Sequence, residues 1–241
     1  MIRVHSYESL GTYDGPGIRL VVFLQGCPFR CLYCANPDTI GFDGGRLTAP
    51  EEILRRAVNE KPFFGRKGGV TFSGGEPTAQ AKELLPLFRM LRENGIHICV
   101  DTNGGIWNWD VEELLSLADL VLLDVKEMDA ERHRRLTGRD NTRVLKTAQW
   151  LEEAGKPFWL RYVLVPGLTD FPEDLHSLGR HFKDFRMLRK VDILPYHTLG
   201  VHKYEALGEK YRLEGTPLNT DAQLEAAKKI LESYFRNVTV C

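Results

Sequence analysis

Cysteine is scarce in this sequence, and a long apolar segment is missing. Only five cysteines occur in 241 residues, an odd and low number that does not suit a framework of disulfides. The longest apolar run, residues 20–24, is far too short to cross a bilayer, and the first residues do not read as a secretory leader. We therefore expect a cytoplasmic protein in a reducing compartment, with no membrane partner.

An excess of one charge is also missing. Lys and Arg number 32 against 33 Asp and Glu, so the formal net charge is -1. Such a chain has no overall attraction to nucleic acid, and we expect no nucleic-acid partner. Hydrophobic residues make up 43% of the sequence, enough for a sizeable core, and we predict a single domain over residues 1–241.

Short β-branched runs alternate with amphipathic stretches of helical period, which predicts an α/β fold with parallel strands. The predicted strands are residues 18–24, 69–72, 97–101, 120–124, 158–165 and 191–194, and the predicted helices are 49–59, 81–94, 111–117, 141–154, 170–183 and 221–235. Polar motifs follow the carboxyl ends of these strands, where β/α barrels carry their chemistry. Six units are too few to close an eight-stranded barrel.

Three of the five cysteines, Cys27, Cys31 and Cys34, form a C-x3-C-x2-C loop after the first predicted strand. A cluster of four irons normally takes four thiolates, so three leave one iron open to another ligand. Structural zinc requires four closed ligands, usually from two close pairs, and this spacing disfavours it.

With Tyr33 before its last cysteine, the loop resembles that of the radical S-adenosylmethionine (SAM) enzymes. In that family three thiolates hold one [4Fe-4S] cluster, whose fourth iron is chelated by the amino and carboxylate groups of SAM. The resemblance implies that Cys27, Cys31 and Cys34 are the catalytic iron ligands. It also implies that the α/β units form an open, partial (β/α)6 barrel.

The segment Ser73-Gly-Gly-Glu-Pro77 follows the second predicted strand and resembles the family's segment that meets the SAM amino group. A Gly-Gly pair by itself is usually only a turn. Residues without a Cβ also allow a backbone to approach a ligand closely. The resemblance implies that Gly74, Gly75 and Glu76 bind the cofactor.

Asp124 and Lys126 point to one face if the strand continues, and they can simply pair with each other there. The segment Asp124-Val125-Lys126 also resembles one that binds SAM, with the aspartate on ribose hydroxyls and the lysine, counted among the catalytic groups, on the carboxylate. Asp101 and Thr102 with Asp124 resemble a monovalent-cation site for sodium or potassium, for which oxygen ligands are suitable.

The same resemblance implies five more cofactor contacts, Tyr33, Cys34, Ala35, Arg161 and His197. Ala35 follows the last cysteine of the loop, where the best-known relatives have histidine. Arg161 lies on the fifth predicted strand and is equally suited to a salt bridge. His197 ends the sixth strand, where the resemblance places adenine, although a capped loop histidine is the simpler interpretation.

The stretch Asp14-Gly-Pro-Gly-Ile-Arg19 is a turn into the first predicted strand, and it resembles the signature of activases of glycyl radical enzymes. The resemblance implies that Asp14, Gly15 and Arg19 contact a partner enzyme, whose glycine loses a hydrogen to a 5′-deoxyadenosyl radical. Pyruvate formate-lyase is the favoured partner, with choline, glycerol and diol lyases as alternatives. Because no second cluster is predicted, flavodoxin or ferredoxin is the implied electron donor.

Two other classes remain open from sequence. A radical SAM enzyme acting on a small molecule, such as a carboxydeazaguanine synthase, would keep the cluster and the barrel but would not need the Asp14-to-Arg19 signature. An electron-transfer protein would explain the cysteines but not the polar residues at the strand ends.

Overall fold

The computed structural model describes residues 1–241, and the chain forms two compact units. The first unit comprises Met1–Pro28 and Thr39–Leu122, and the second comprises Phe29–Asp38 and Leu123–Cys241. The prediction of one domain over the whole chain stays a prediction. No helix in the structure has the length and apolar character needed to span a membrane.

The first unit is built on parallel strands preceded by an antiparallel hairpin. Its strands are β1 (Ile2–Gly11), β2 (Arg19–Leu24), β3 (Arg46–Thr48), β4 (Gly69–Gly74) and β5 (His97–Thr102), in the spatial order β3-β1-β2-β4-β5, and its helices are α1 (Pro50–Phe64), α2 (Ala81–Glu93) and α3 (Trp109–Leu117). β1 runs antiparallel to β2 and β3, whereas β2, β4 and β5 are parallel. β6 (Leu120–Asp124) carries the chain from the first unit into the second.

Both faces of these parallel strands are buried, which explains their continuous apolar sequence. Phe72 of β4 lies beside Val100 of β5, and its ring packs against Phe88 of α2 at 4.8 Å between centroids. Helix α2 therefore packs on this face of the sheet. Because side chains alternate along a strand, Ser73 and Asp101 point to the opposite face.

The second unit continues with parallel strands and helices. Its elements are α4 (Ala130–Thr137), α5 (Thr142–Glu153), β7 (Phe158–Leu164), α6 (Pro172–Phe182), β8 (Leu188–Pro195), α7 (Val201–Ala206), α8 (Asp221–Glu232) and β9 (Val238–Val240). The strands β7, β8 and β9 are parallel and adjacent in that order. Leu160, Val191 and Val238 pair across them and are buried.

The six predicted strands correspond to β2, β4, β5, β6, β7 and β8, and the six predicted helices correspond to α1, α2, α3, α5, α6 and α8. The prediction of a parallel α/β architecture is confirmed. The sequence reading missed β1, β3 and β9 and the helices α4 and α7. Most of these are short, and α7 matters for the site described next.

Candidate active site

In the first unit, the backbone that leaves β2 is fixed before it reaches Cys27. Gly26 has a φ of +99°, a conformation that favours glycine. Its N–H donates to the carbonyl of Thr39 at 2.7 Å, and the N–H of Cys27 donates to the carbonyl of Ile40 at 3.1 Å. The Cys27 side chain is half-buried at the carboxyl end of the strand.

The Gly-Gly-Glu segment is held directly against Gly26. The N–H groups of Gly75 and Glu76 donate to the carbonyls of Leu24 and Gly26, both at 2.8 Å. A Cβ on Gly75 would lie 2.4 Å from the Gly26 oxygen, and Gly74 has a φ of +97°. Glycine is therefore required at position 75 because this residue approaches the backbone of Gly26, the residue before Cys27. The SAM contacts of Gly74 and Gly75 stay predictions.

Glu76 is completely buried and its carboxylate binds residues of two loops. It accepts hydrogen bonds from the N–H of Thr78 at 3.0 Å, the hydroxyls of Thr78 and Thr102 at 2.6 Å each, and the N–H of Asn103 at 2.8 Å. Burial raises the pKa of Glu76, while these hydrogen bonds oppose that shift. Glu76 thus joins the segment after β4 to the segment after β5, and a SAM contact through it stays a prediction.

Asn103 was not predicted as a site residue, yet it is in contact with Cys27. Its side-chain Nδ2 lies 3.6 Å from the Cys27 Sγ, within reach of an N–H···S hydrogen bond. Its Oδ1 accepts from the N–H of Gly105 at 2.9 Å. The position of Asn103 after Asp101 and Thr102, at the carboxyl end of a strand, is the only sequence signal that pointed to it.

Two of the predicted cation ligands lie at the end of β5. The hydroxyl of Ser73 donates to Asp101 Oδ2 at 2.7 Å. The hydroxyl of Thr102 donates to Glu76 at 2.6 Å and accepts from the N–H of Gly104 at 3.0 Å. The monovalent-cation site of Asp101, Thr102 and Asp124 stays a prediction.

In the second unit, the loop that carries Cys31 and Cys34 is bound to the end of α4. The N–H of Arg30 donates to Thr137 at 2.7 Å and that of Leu32 donates to Leu136 at 2.9 Å, both to backbone carbonyls. The N–H of Cys34 donates to the Cys31 carbonyl at 3.2 Å, which closes a turn between the two cysteines.

Helix α7 supports the same loop from its other end. The hydroxyl of Tyr204 donates to the carbonyl of Cys34 at 3.1 Å. Lys203 Nζ lies 2.8 Å from Asn36 Oδ1 and 3.1 Å from Asp38 Oδ1. Ala35 packs against Gly200, where a Cβ would lie 2.4 Å from the Ala35 oxygen. Ala35 therefore contacts protein backbone, and its predicted SAM contact stays a prediction.

The environment of Cys31 and Cys34 keeps their thiols protonated in the metal-free chain. Burial raises the pKa of Cys31 to about 12, although Lys126 opposes the shift. Burial also raises the pKa of Cys34. Only the thiolate ligates metal, so the binding of iron has to displace these protons.

Asp124 and Lys126 form the ion pair that their spacing permitted. Lys126 Nζ lies 2.8 Å from Asp124 Oδ2, and the two side chains are 12% and 18% exposed respectively. Burial by itself would lower the pKa of Lys126, but the Asp124 carboxylate and further neighbours hold it well above its usual value. Lys126 is therefore a cation, and an ammonium has three donors, of which this pair uses one.

Tyr33 lies next to this pair and has an unsatisfied hydroxyl. Its ring centroid is 5.6 Å from Lys126 Nζ, and the residue is 9% exposed in an apolar cluster with Tyr196, Tyr204 and Tyr211. The Tyr33 hydroxyl oxygen is buried and has no hydrogen-bond partner in the protein. A buried hydroxyl without a partner costs about 1–3 kcal/mol, so this position fits a bound molecule with polar groups, as SAM is.

Arg161 and His197, both in the second unit, differ in exposure. Arg161 is half-buried on β7 opposite Asp192 of β8, and its carbonyl accepts from the N–H of buried Val125 at 3.0 Å. His197 is exposed, and its Nδ1 accepts from the N–H of Leu199 at 3.4 Å, the local cap that the sequence allowed. Cofactor contacts of Val125, Arg161 and His197 stay predictions.

The Asp14-to-Arg19 loop packs on the face of β4 and β5 that carries Ser73 and Asp101. The Asp14 carbonyl accepts from the hydroxyl of Thr71 at 2.6 Å. Gly15 has a φ of +122°, and a Cβ there would lie 3.1 Å from Cys99 Sγ. Thr71 precedes Ser73 by one pleat, roughly 7 Å along the strand.

Arg19 is completely buried beneath this loop. Its guanidinium donates to the carbonyls of Pro16 at 2.9 Å and Val70 at 2.7 Å, and to the hydroxyl of Thr71. Burial lowers the pKa of Arg19, against the pull of nearby acidic groups. Arg19 supports the loop, and this burial disfavours the substrate contact that the sequence predicted for its side chain.

The class of protein follows from comparison with known families. The sequence pattern of the Radical SAM superfamily matches residues 21–178. This range is more than half of the chain and includes the cysteine loop and the strands β4 to β7. The chain belongs to the radical SAM superfamily. Enzymes of this superfamily use a [4Fe-4S] cluster and SAM.

Particular relatives extend over almost the whole chain. The sequence is 44% identical to the pyruvate formate-lyase 1-activating enzyme of Escherichia coli (strain K12) over 239 residues, 98% of this chain and 97% of that protein. It is 45% identical to the pyruvate formate-lyase-activating enzyme of Staphylococcus aureus (strain USA300) over 233 residues, 93% of each chain. The predicted resemblance to activases is confirmed.

Solved structures agree on the fold. A domain of pyruvate-formate lyase-activating enzyme from Bacteroides vulgatus ATCC 8482 superposes with a TM-score of 0.61 at 23% identity, covering 72% of this chain and 99% of that one. Streptococcus suis SuiB bound to precursor peptide SuiA superposes with a TM-score of 0.71 at 19% identity, covering 93% of this chain and 49% of that one. The prediction of a radical SAM α/β fold is confirmed.

Proposed function

We propose that this protein activates a glycyl radical enzyme by removing a hydrogen atom from a glycine of its partner, and that the partner is pyruvate formate-lyase. The observation that carries the proposal is the 44–45% identity to pyruvate formate-lyase activating enzymes over 93% to 98% of the chain. Activases of choline, glycerol or diol lyases are the alternative. A small-molecule radical SAM enzyme would not need the Asp14-to-Arg19 signature.

The proposed roles of the cysteine loop follow from its chemistry. Cys27, Cys31 and Cys34 hold three irons of one [4Fe-4S] cluster and leave the fourth iron for SAM. When bound, the reduced cluster would supply the one electron that cleaves SAM into methionine and a 5′-deoxyadenosyl radical. Backbone hydrogen bonds of Gly26, Leu32 and Cys34 hold the segments that carry these cysteines within each unit.

The proposed SAM contacts in the second unit are Lys126, Asp124 and Tyr33, which lie close together. Lys126 keeps its positive charge and offers donors beyond its bond to Asp124, which suits the SAM carboxylate. The proposed role of Asp124, which lies beside Lys126, is to accept from a ribose hydroxyl of SAM. The buried Tyr33 hydroxyl gains a partner when a polar molecule binds.

The Asp14 loop is the proposed contact for the partner's glycine segment. It covers the same sheet face as Ser73 and Asp101, one pleat away, and is held from below by Arg19 and Thr71. A rigid loop beside the strand ends can receive an extended segment through backbone hydrogen bonds. The partner must release that segment from its own fold, which carries an ordering cost.

The electron donor and the compartment belong to the proposal as well. With five cysteines, of which Cys99 is buried in β5 and Cys241 is exposed at the end of the chain, a second cluster has no ligand set in this sequence. We propose an external flavodoxin or ferredoxin as the electron source and the cytoplasm as the location.

Electron paramagnetic resonance tests the proposal directly. Reduced, cluster-loaded protein, SAM and pyruvate formate-lyase are mixed without oxygen, with a partner variant that has alanine at the radical glycine as control. We expect a glycyl doublet with the natural partner and none with the control. A doublet only with a choline, glycerol or diol lyase would change the assigned partner, and none with any of them would contradict the proposed activity.

A further inference from the structure

We infer that Asn103 is a positioning residue that sets the reduction potential of the cluster through an N–H···S hydrogen bond to Cys27. Its Nδ2 lies 3.6 Å from the Cys27 Sγ, and the side chain is only 7% exposed. The inference concerns the cluster alone and does not depend on which partner the enzyme activates.

The orientation of the Asn103 amide is fixed by its other end. Its Oδ1 accepts from the N–H of Gly105 at 2.9 Å, and a side-chain amide has its oxygen and nitrogen on opposite sides of one planar group. In the flipped orientation, the side-chain NH2 of Asn103 would face the N–H of Gly105, and neither group could accept a hydrogen bond from the other. The hydrogen-bonding pattern therefore assigns the nitrogen, and with it a donor, to the side that faces Cys27.

The backbone of Asn103 is fixed as well, by Glu76. The Glu76 carboxylate accepts from the Asn103 N–H at 2.8 Å and from the hydroxyl of Thr102 at 2.6 Å. The N–H of Glu76 donates to Gly26 at 2.8 Å, next to Cys27. Glu76 therefore hydrogen-bonds both to Asn103, which carries the donor, and to Gly26, the residue before the acceptor Cys27. These bonds fix the distance between donor and acceptor.

A donor at a ligating sulfur stabilises the more negative state of the cluster. Reduction adds one negative charge that is shared with the thiolates, and hydrogen bonds to the sulfurs are one of the factors that set the potential of iron–sulfur clusters. Removal of the Asn103 donor should therefore make the cluster harder to reduce. Outer-shell partners also orient the ligand itself.

Two variants separate the donor from the turn that Asn103 also stabilises. Asn103→Asp keeps an acceptor for Gly105, removes the donor and adds a negative charge, whereas Asn103→Ala removes the donor without adding charge. Asn94→Asp is the matched control, because Asn94 is exposed at the end of α2 and donates to the Met90 carbonyl at 2.8 Å.

The measurement is a potentiometric titration of the reconstituted cluster followed by electron paramagnetic resonance, with iron content determined on each sample. We expect Asn103→Asp to lower the one-electron reduction equilibrium constant about tenfold, a shift of about 59 mV to more negative potential. Asn103→Ala should shift the potential in the same direction by a smaller amount, and Asn94→Asp should leave it unchanged.

Three results would overturn the inference. A shift in Asn103→Asp with none in Asn103→Ala would mean that only the added charge acts. Wild-type potentials in both variants would limit Asn103 to supporting the turn at Gly105. Loss of iron from both variants with the fold retained by circular dichroism would make the amide a requirement for cluster assembly and not a determinant of its potential.

Discussion

Replacement of Lys126 by methionine separates ligand binding from internal ion pairing at the proposed SAM site. Lys126 Nζ and Asp124 Oδ2 are 2.8 Å apart, and the two side chains are only 12% and 18% exposed, so the variant removes one member of a mostly buried ion pair. Removal of one partner from a buried pair costs about 3 kcal/mol of stability at the lower end of the usual range. Urea denaturation of the cluster-free chain should show this loss.

SAM affinity should fall in the same variant for a different reason. Loss of one charge-assisted contact to the SAM carboxylate costs roughly 1.5–3 kcal/mol, which corresponds to a Kd raised about 10- to 150-fold. Titration of the cluster-loaded enzyme with SAM measures this change, and iron content should stay near normal.

The double variant Lys126→Met with Asp124→Asn decides between the two roles. It also removes the Asp124 charge that the single variant leaves without Lys126, so stability should recover in part, but the SAM affinity should stay low. Recovery of SAM affinity together with stability would refute a direct contact of Lys126 with SAM. Unchanged SAM affinity in the single variant would assign Lys126 to internal pairing alone.

Four further changes test other parts of the site. Cys31→Ala should abolish the cluster and SAM cleavage, whereas Cys99→Ala, in buried β5, should keep both as judged by iron content and 5′-deoxyadenosine formation. Gly75→Ala places a Cβ 2.4 Å from a backbone oxygen and should lower the free energy of unfolding, measured by urea denaturation, by about 1–3 kcal/mol. Gly41→Ala is the control and should leave it unchanged, because a Cβ there has nothing within 4 Å. Because burial raises the pKa of the Cys31 thiol from 9.0 to about 12, this thiol loses its proton at a lower pH in the unfolded chain than in the folded chain. Stability of the cluster-free protein should therefore fall as the pH rises through this interval, less so in Cys31→Ala. Asp14→Ala should slow partner activation with little effect on uncoupled SAM cleavage; abolished cleavage without a partner would assign the loop to cofactor binding.

The elements that sequence predicted best are the buried parallel strands. Strands such as β2 and β4 are apolar on both faces and stand out as short continuous runs. The strands β3 and β9 have three residues each and α7 has six, too few for periodicity to register. Yet α7 carries Tyr204 and Lys203, which support the cysteine loop.

Within the site, sequence identified the residues but not the contacts among them. The cysteine loop and the Gly-Gly-Glu segment are local motifs that can be read from spacing. The contact of Glu76 with Asn103 joins segments 27 residues apart, which only the pairing of β4 with β5 brings together. Arg19 was predicted to contact the partner enzyme, and the backbone carbonyls that accept from its buried guanidinium could not be read from the sequence.

Hydrogen transfer from the partner's glycine is the central claim, and isotope labelling tests it most directly. Pyruvate formate-lyase with deuterium on the α-carbon of its glycines is incubated with the reduced enzyme and SAM without oxygen, and the 5′-deoxyadenosine is analysed by mass spectrometry. We expect one deuterium in the 5′-deoxyadenosine that forms in step with the glycyl radical signal. Unlabelled 5′-deoxyadenosine alongside a full radical signal would contradict it.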